Sequence, residues 1–278
     1  MMLEGTDYSL SRTKHEREVD ISVVKASLKK LRDAGVSYFR DGGDPLGVSI
    51  AARNLASDYG IDFVTPAFAI HKKGRYGSIV GRAFSDMNEF RLRVAEVRQE
   101  GGDFIKIMAS GIITFRQYGE LSCECLTPQE ICEMIRIAHG EGFAVMTHVN
   151  GAEAIRAVAE SGGESVEHGY FADGEALSAM AENGTIWVPT LSAVSAFVGR
   201  DGIDASVAEE TVERQKEALR IGARMGIRIA AGSDSGAVGV PHGAGTLREY
   251  ELLSECGLQA ESLLSANETI SKVFRIKE

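Results

Sequence analysis

The sequence predicts a parallel α/β fold, either doubly wound or closed as a barrel. Three observations carry this. Amphipathic stretches that end at a glycine alternate with short apolar runs along the chain. The runs are apolar nearly throughout, as strands buried on both faces of a parallel sheet are. No G-x-G-x-x-G follows any run, which weighs against a dinucleotide-binding open sheet.

The runs follow in order. Gly35 precedes VSYFRDGG, Gly60 precedes IDFVTPAFAI and Gly102 precedes DFIKIMAS. Gly142 precedes FAVMTHV, Gly162-Gly163 precede ESVEHG, Gly184 precedes TIWVPT and Gly226 precedes IRIAAGSD. A glycine just past a helix end takes the left-handed conformation without steric cost. Each run is too short for a helix and rich in Val, Ile and Phe. Asp20 is a cap for ISVVKASLKKLRDA, with Ile21, Val24, Leu28 and Leu31 on one face. Asp86 with Glu89 has capping-box spacing, as does Thr127-Pro128-Gln129-Glu130 with proline at the first helical position. Asp173 caps GEALSAMAEN, and further helices are expected over about 205–225, 246–256 and 260–273. That makes seven strand units in one domain over residues 1–278, with no composition break or linker to divide it.

The 278 residues are 44% apolar and 25% charged, a globular balance that excludes a disordered chain. No run approaches the ~18 apolar residues of a membrane span, and the polar start MMLEGTDYSLSRTKHERE is not a secretory signal. The net charge of −10 disfavours nucleic acid and anionic membrane as partners. Cys123, Cys125, Cys132 and Cys256 include a C-x-C but no C-x-x-C, and read as reduced thiols of a cytoplasmic protein.

In parallel α/β folds the site lies at the C-terminal ends of the strands. There stand Lys106 in FIKIMASG, Thr147-His148, Glu167-His168-Gly169 and Ser233-Asp234. Each has a structural reading alone: a hydrogen-bonded histidine, a lysine that snorkels or pairs with Asp103, an aspartate in a turn. Together they point to a metal site, because buried ionisable groups are costly unless paired or bound to metal. A lysine with a lowered pKa can react with carbon dioxide, and the resulting carbamate is a two-oxygen anionic ligand. A lysine in a barrel also allows Schiff-base chemistry, which the two nearby histidines make the weaker reading.

At these residues the chain resembles the amidohydrolase superfamily of metal-dependent hydrolases. The matching segments are GGDFIKIMASG, VMTHVNGAEAIRAVAESGGESVEHGYF and AAGSDSG, in the family order Lys, His, His, Asp. Within it the chain is most similar to the imidazolonepropionase-related branch, on the zinc dipeptidase side. The resemblance implies a TIM-like (β/α) barrel with Lys106 as a carbamylated bridging ligand, His148 and His168 on the more buried metal, and Asp234 as metal ligand and general acid/base. It implies one or two divalent ions, zinc by analogy, and a water-driven hydrolysis of a C–N bond in an amide, dipeptide or cyclic amide. The substrate would be a small molecule.

No H-x-H occurs in the sequence, although relatives end their first strand in one. The small β-sandwich domain of relatives has no counterpart either. Strand 1 is therefore expected to be missing, whether by truncation or by natural loss, and His15 is the one nearby histidine that could substitute. Strands flanking the gap would keep unpaired edges, which promotes self-association. The alternative reading is a catalytically inactive metal-binding remnant. Weaker substrate-binding candidates are His71 (with Lys72, Lys73, Arg75 and Tyr76), Arg116, Tyr118 and His242. Arg40-Asp41-Gly42-Gly43 reads as a structural turn, and His139 as a helix C-terminal residue.

Overall fold

The computed structural model describes Met2 and residues 8–275. A short helix α1 (Tyr8–Thr13) leads into α2 (Ile21–Asp33), β1 (Tyr38–Arg40) and α3 (Val48–Ala56). Next come β2 (Asp62–Val64), β3 (Ala69–Lys72), β4 (Gly81–Phe84), α4 (Met87–Gln99) and β5 (Ile105–Met108). Then follow α5 (Pro128–Gly140), β6 (Val145–Val149), α6 (Ala152–Glu160), β7 (Ser165–His168) and α7 (Gly174–Asn183). The chain continues through β8 (Ile186–Val188), α8 (Leu191–Ser195), α9 (Ala205–Arg224), α10 (Ala244–Glu255) and α11 (Ala260–Val273). Among the described residues no helix is long and apolar enough to cross a membrane.

The caps form where side-chain chemistry calls for them. Asp20 accepts from the amides of Ser22 and Val23, Asp86 from Asn88 and Glu89, and Asp173 from Ala176. Thr127 and Glu130 cap each other's backbone with Pro128 at the first helical position, the reciprocal arrangement the spacing predicts. Two details differ. Ile21 stays exposed while Val24, Leu28 and Leu31 are buried, because the buried stripe starts a turn later. The left-handed glycine before β5 is Gly101, and Gly102 then donates its amide back to Val97.

All strand pairs are parallel. One sheet runs β4-β3-β5-β6-β7-β8, and β1 pairs with β2. The expected single strand over IDFVTPAFAI is two, because the chain bends at Thr65–Phe68. Pro66 has no amide to give, and Ala67 sits at φ 62°. The two sheets remain one wall, since Asp103 N–H donates to the Thr65 carbonyl at 2.7 Å. The expected last strand is reduced to a parallel bridge between Trp187 and Ile229, with the Ala230 amide donating to the Trp187 carbonyl. β4, which no sequence signal announced, lies on the outer side of β3.

Among the described residues the wall does not close, since β1 and the segment at Ile229 share no ladder. The helical layer does close there: a Cβ on Gly243 would stand 2.6 Å from the Lys30 carbonyl oxygen of α2. Between the open sheet edges lies a cavity of about 610 Å³ that runs from Val36 and Phe39 to Asp234. Leu247 and Leu264 on its helical side remain 53% and 56% exposed.

Two side chains tie the edge strand to the far wall. Arg40 of β1 crosses the interior and donates to both carboxylate oxygens of Glu167 (2.8 and 2.9 Å) and to Ser165 Oγ (2.8 Å) on β7. Their side chains are 8% and 3% exposed. The guanidinium also lies 4.4 Å from the ring centre of Phe274, just past α11, which packs edge-on against Phe104. Removing one partner of a buried pair strands the other charge. Arg40→Met and Glu167→Gln are each expected to cost about 3–5 kcal/mol. In urea unfolding the double variant should lose clearly less than the sum of the two.

Candidate functional site

Of the four strand candidates, Lys106, His168 and Asp234 line the cavity, while His148 stands behind His168 and does not. Lys106 sits mid-strand on β5, pairs in register with Met146 of β6 and is 8% exposed. Among the described residues no carboxylate forms an ion pair with it. The sequence alternative, Asp103, is engaged elsewhere: it accepts from the Thr65 amide and from Arg53. Gly42 makes room for the lysine, since a Cβ there would come within 2.9 Å of Nζ. Its neighbour Asp41 accepts from the Gly43 amide and from Thr65 Oγ1, the structural role the sequence suggested.

His148 of β6 and His168 of β7 lie with ring centres 4.6 Å apart, edge to face. His148 Nε2 is 3.3 Å from the Gly111 carbonyl, and the Tyr76 ring covers it at 5.3 Å. His168 Nδ1 is 2.7 Å from Thr190 Oγ1. These bonds leave Nδ1 of His148 and Nε2 of His168 outside their reach. Burial pushes the His148 imidazole well below its ordinary pKa, and the nearby His168 and Lys106 charges add to the effect. His168 is pushed down to about 3, by burial first and then by Lys106. Both rings are therefore neutral at pH 7, the state in which imidazole is a ligand.

Three consecutive strand ends carry non-glycine residues in the left-handed region: His168 (φ 70°), Thr190 (φ 51°) and Asp234 (φ 55°). All three line the cavity with Lys106. Such conformations cost about 1–3 kcal/mol each and persist only where surroundings impose them. At His168 the backbone carbonyl accepts from Trp187 Nε1 (2.9 Å) and Gln215 Nε2 (2.7 Å). At Asp234 the carbonyl accepts from the Ala237 amide at 3.0 Å, and the carboxylate's charge reaches His148.

The weaker candidates lie further out. His71 is buried, 3.1 Å from the Lys72 carbonyl through Nδ1, and does not line the cavity. Arg116 is 74% exposed and pairs with Glu120 at 2.6 Å. Tyr118 packs edge-on against Phe171 and under the Arg214 guanidinium. His242 is buried beside Phe39 at the seam. His15 does not line the cavity: its Nδ1 accepts the Asp20 amide at 3.0 Å and organises the start of α2. His139 pairs with Glu164 at 3.1 Å near the end of α5, as a helix C-terminal residue can.

Sequence reasoning missed Thr190, Asn150 and Glu249. Asn150 accepts the Tyr170 amide and donates to the Gly111 carbonyl, so it joins the loops after β5, β6 and β7. Glu249 is fully buried, and burial pushes its carboxyl up to about 7 against the pull of its hydrogen bonds from Ser192 and Leu191. A signal for it existed: Glu249 lies three and four residues before Leu252 and Leu253, on the buried face of α10. Among the described residues no three His, Cys, Asp or Glu side chains form a metal-sized group.

A parallel barrel wall whose strand ends converge on two neutral histidines, a lysine and an aspartate defines the class of (β/α)-barrel proteins with a strand-end site. The chain belongs to the amidohydrolase family, whose model matches residues 22–276. An uncharacterized protein of Mycobacterium tuberculosis is 25% identical over 256 residues, covering 90% of this chain and 66% of that relative. Ochratoxinase of Aspergillus niger is 29% identical over 195 residues, covering 66% of this chain and 39% of its own length. A solved Xaa-Pro dipeptidase, 24% identical, superposes with a TM-score of 0.75 over 92% of this chain and 68% of its own. The chain thus spans about two thirds of the mycobacterial relative and less of ochratoxinase.

The depressed histidines have a measurable consequence. Unfolding restores their ordinary pKa of 6.5, so below that pH the unfolded chain binds more protons than the folded one. The stability they contribute is complete above pH 6.5 and is lost as pH falls toward the folded values. In urea titrations of metal-free protein between pH 7 and 5, His168→Gln is expected to flatten this loss. An unchanged pH slope would contradict a neutral His168.

Proposed function

We propose that the chain forms the core of a metal-dependent amidohydrolase that hydrolyses a C–N bond in an amide, dipeptide or cyclic amide. One observation carries the reading: two neutral, touching imidazoles beside a buried lysine that has no carboxylate partner among the described residues, with a strained aspartate on the cavity that Lys106 and His168 line. Family membership and the fold shared with a Xaa-Pro dipeptidase support it.

The donor set fits a divalent ion, zinc among others, once the lysine is counted. His148 would offer Nδ1 and His168 Nε2, the nitrogens their other hydrogen bonds leave open. Lys106 Nζ would add to carbon dioxide, lose a proton and present a carbamate; among the described residues no carboxylate competes for that nitrogen. Asp234 would complete the set. A bound divalent ion supplies a lowered water pKa and a polarised carbonyl. Asp234 then takes the proton of the attacking water and delivers it to the leaving nitrogen. Its left-handed backbone stands at the strand end, on the cavity lining. The open seam favours a second reading, a barrel that holds metal without turnover.

Metal analysis tests both readings. Protein exchanged into zinc or manganese with bicarbonate is expected to bind one or two ions per chain, and Lys106→Met to lose most of that uptake. Against a panel of dipeptides and acyl amino acids, Asp234→Asn should lower turnover by about 10²–10⁴-fold. Metal without hydrolysis would select the second reading, and no bound metal would overturn both.

A further inference from the structure

We propose that Thr190 and Glu249 act as positioning residues that set the ring state of His168. Thr190 Oγ1 accepts from His168 Nδ1–H, so the Nε2 lone pair faces the cavity, and Glu249 holds Thr190 in the backbone conformation that permits this bond. The assignment deepens the metal-hydrolase reading and rests on it only for the consequence in catalysis.

A histidine at a strand end can turn either nitrogen outward, and the partner of the other nitrogen decides which. Here that partner is Thr190 Oγ1, at 2.7 Å. Thr190 follows Pro189 at the end of β8 with φ 51°, an outlier for a β-branched residue. The next two residues explain why it stays there. The Leu191 and Ser192 amides donate to opposite oxygens of Glu249 at 3.0 and 2.7 Å, and Ser192 Oγ adds a third bond at 2.7 Å. Tyr170 Oη lies 3.4 Å from the Thr190 carbonyl.

Glu249 is itself fully buried, and among the described residues no lysine or arginine pairs with it. Its carboxylate is used on the backbone that follows Thr190. α10, which carries it, also reaches the Asp234 loop: Thr246 Oγ1 lies 3.5 Å from Ser233 Oγ, and the Gly245 carbonyl lies 3.1 Å from Ser192 Oγ. One helix therefore braces two of the strand ends that line the cavity.

The test is nitrogen NMR of the whole chain labelled with ¹⁵N-histidine, without added metal. Only six histidines are present, and His168→Gln identifies the signal. The expected wild-type pattern is Nδ1-protonated. Thr190→Val and Glu249→Ala should shift it toward an Nε2-protonated or mixed pattern while the His148 signal stays in place, and Thr190→Ser should restore it. If Glu249→Ala does not fold, Glu249→Gln keeps the volume and should show a detectable Nε2-protonated fraction. An Nε2-protonated wild type, or an unchanged pattern in Thr190→Val, would overturn the proposal. An unchanged pattern in folded Glu249 variants of lower Tm would remove Glu249 from it. Zinc titration separates the two readings. Thr190→Val should weaken binding about 10–100-fold. A wild type that binds no zinc yet shows the expected tautomer would sink the hydrolase reading and leave the positioning intact.

Discussion

The charge pair between Arg40 and Glu167 holds together a barrel whose wall is open. Among the described residues β1 hydrogen-bonds to β2 on one side only, so this three-residue strand has little backbone anchoring of its own. The guanidinium supplies what the ladder lacks. It reaches across the interior to β7, where one guanidinium nitrogen donates to both Glu167 oxygens and another to Ser165 Oγ, and it lies against Phe274 beyond the last helix. Edge strand, far wall and chain end thus meet at one cation. The turn that follows Arg40 carries Asp41 and Gly42, and Gly42 is what clears space for Lys106. The position of the lysine depends on the position of β1, and hence on that ion pair.

Much of this architecture is legible in the sequence. Helix starts at Asp20, Asp86, Thr127 and Asp173 follow from local hydrogen-bond chemistry, which operates over three residues and needs no tertiary context. The strands follow from apolar runs of limited length bounded by glycine. The break at Thr65–Phe68 was half-visible, since Pro66 stands in the middle of the run, but the run's apolar continuity hid it. The fading of the last strand was not visible at all. Whether Ile229 finds neighbours on both sides is decided by what stands across the seam, not by its own sequence.

The candidate site divides along the same line. Lys106, His148, His168 and Asp234 are candidates because their type and their place in or at the end of the apolar runs are both read from sequence. Thr190 and Glu249 could not be found in that way. Threonine after proline at a strand end is unremarkable in composition, and a glutamate in an amphipathic helix is normally a solvated one. Their roles arise only when α10 packs against the loop after β8. The left-handed φ values make the same point, because three non-glycine residues in that region signal constraint that no residue pattern encodes.

The seam also changes how the interior communicates with its surroundings. In a fully closed barrel the lumen is a packed plug, and the strand-end site is reached from the mouth alone. Here one continuous cavity touches Val36 and Ser37 ahead of β1, passes Arg40 and Lys106, and ends at His168 and Asp234. As far as the described residues go, the barrel is a slit tube rather than a cup. Lys106 lines a space that extends along a flank as well as to the strand ends, so a small solute such as water has a second approach to it.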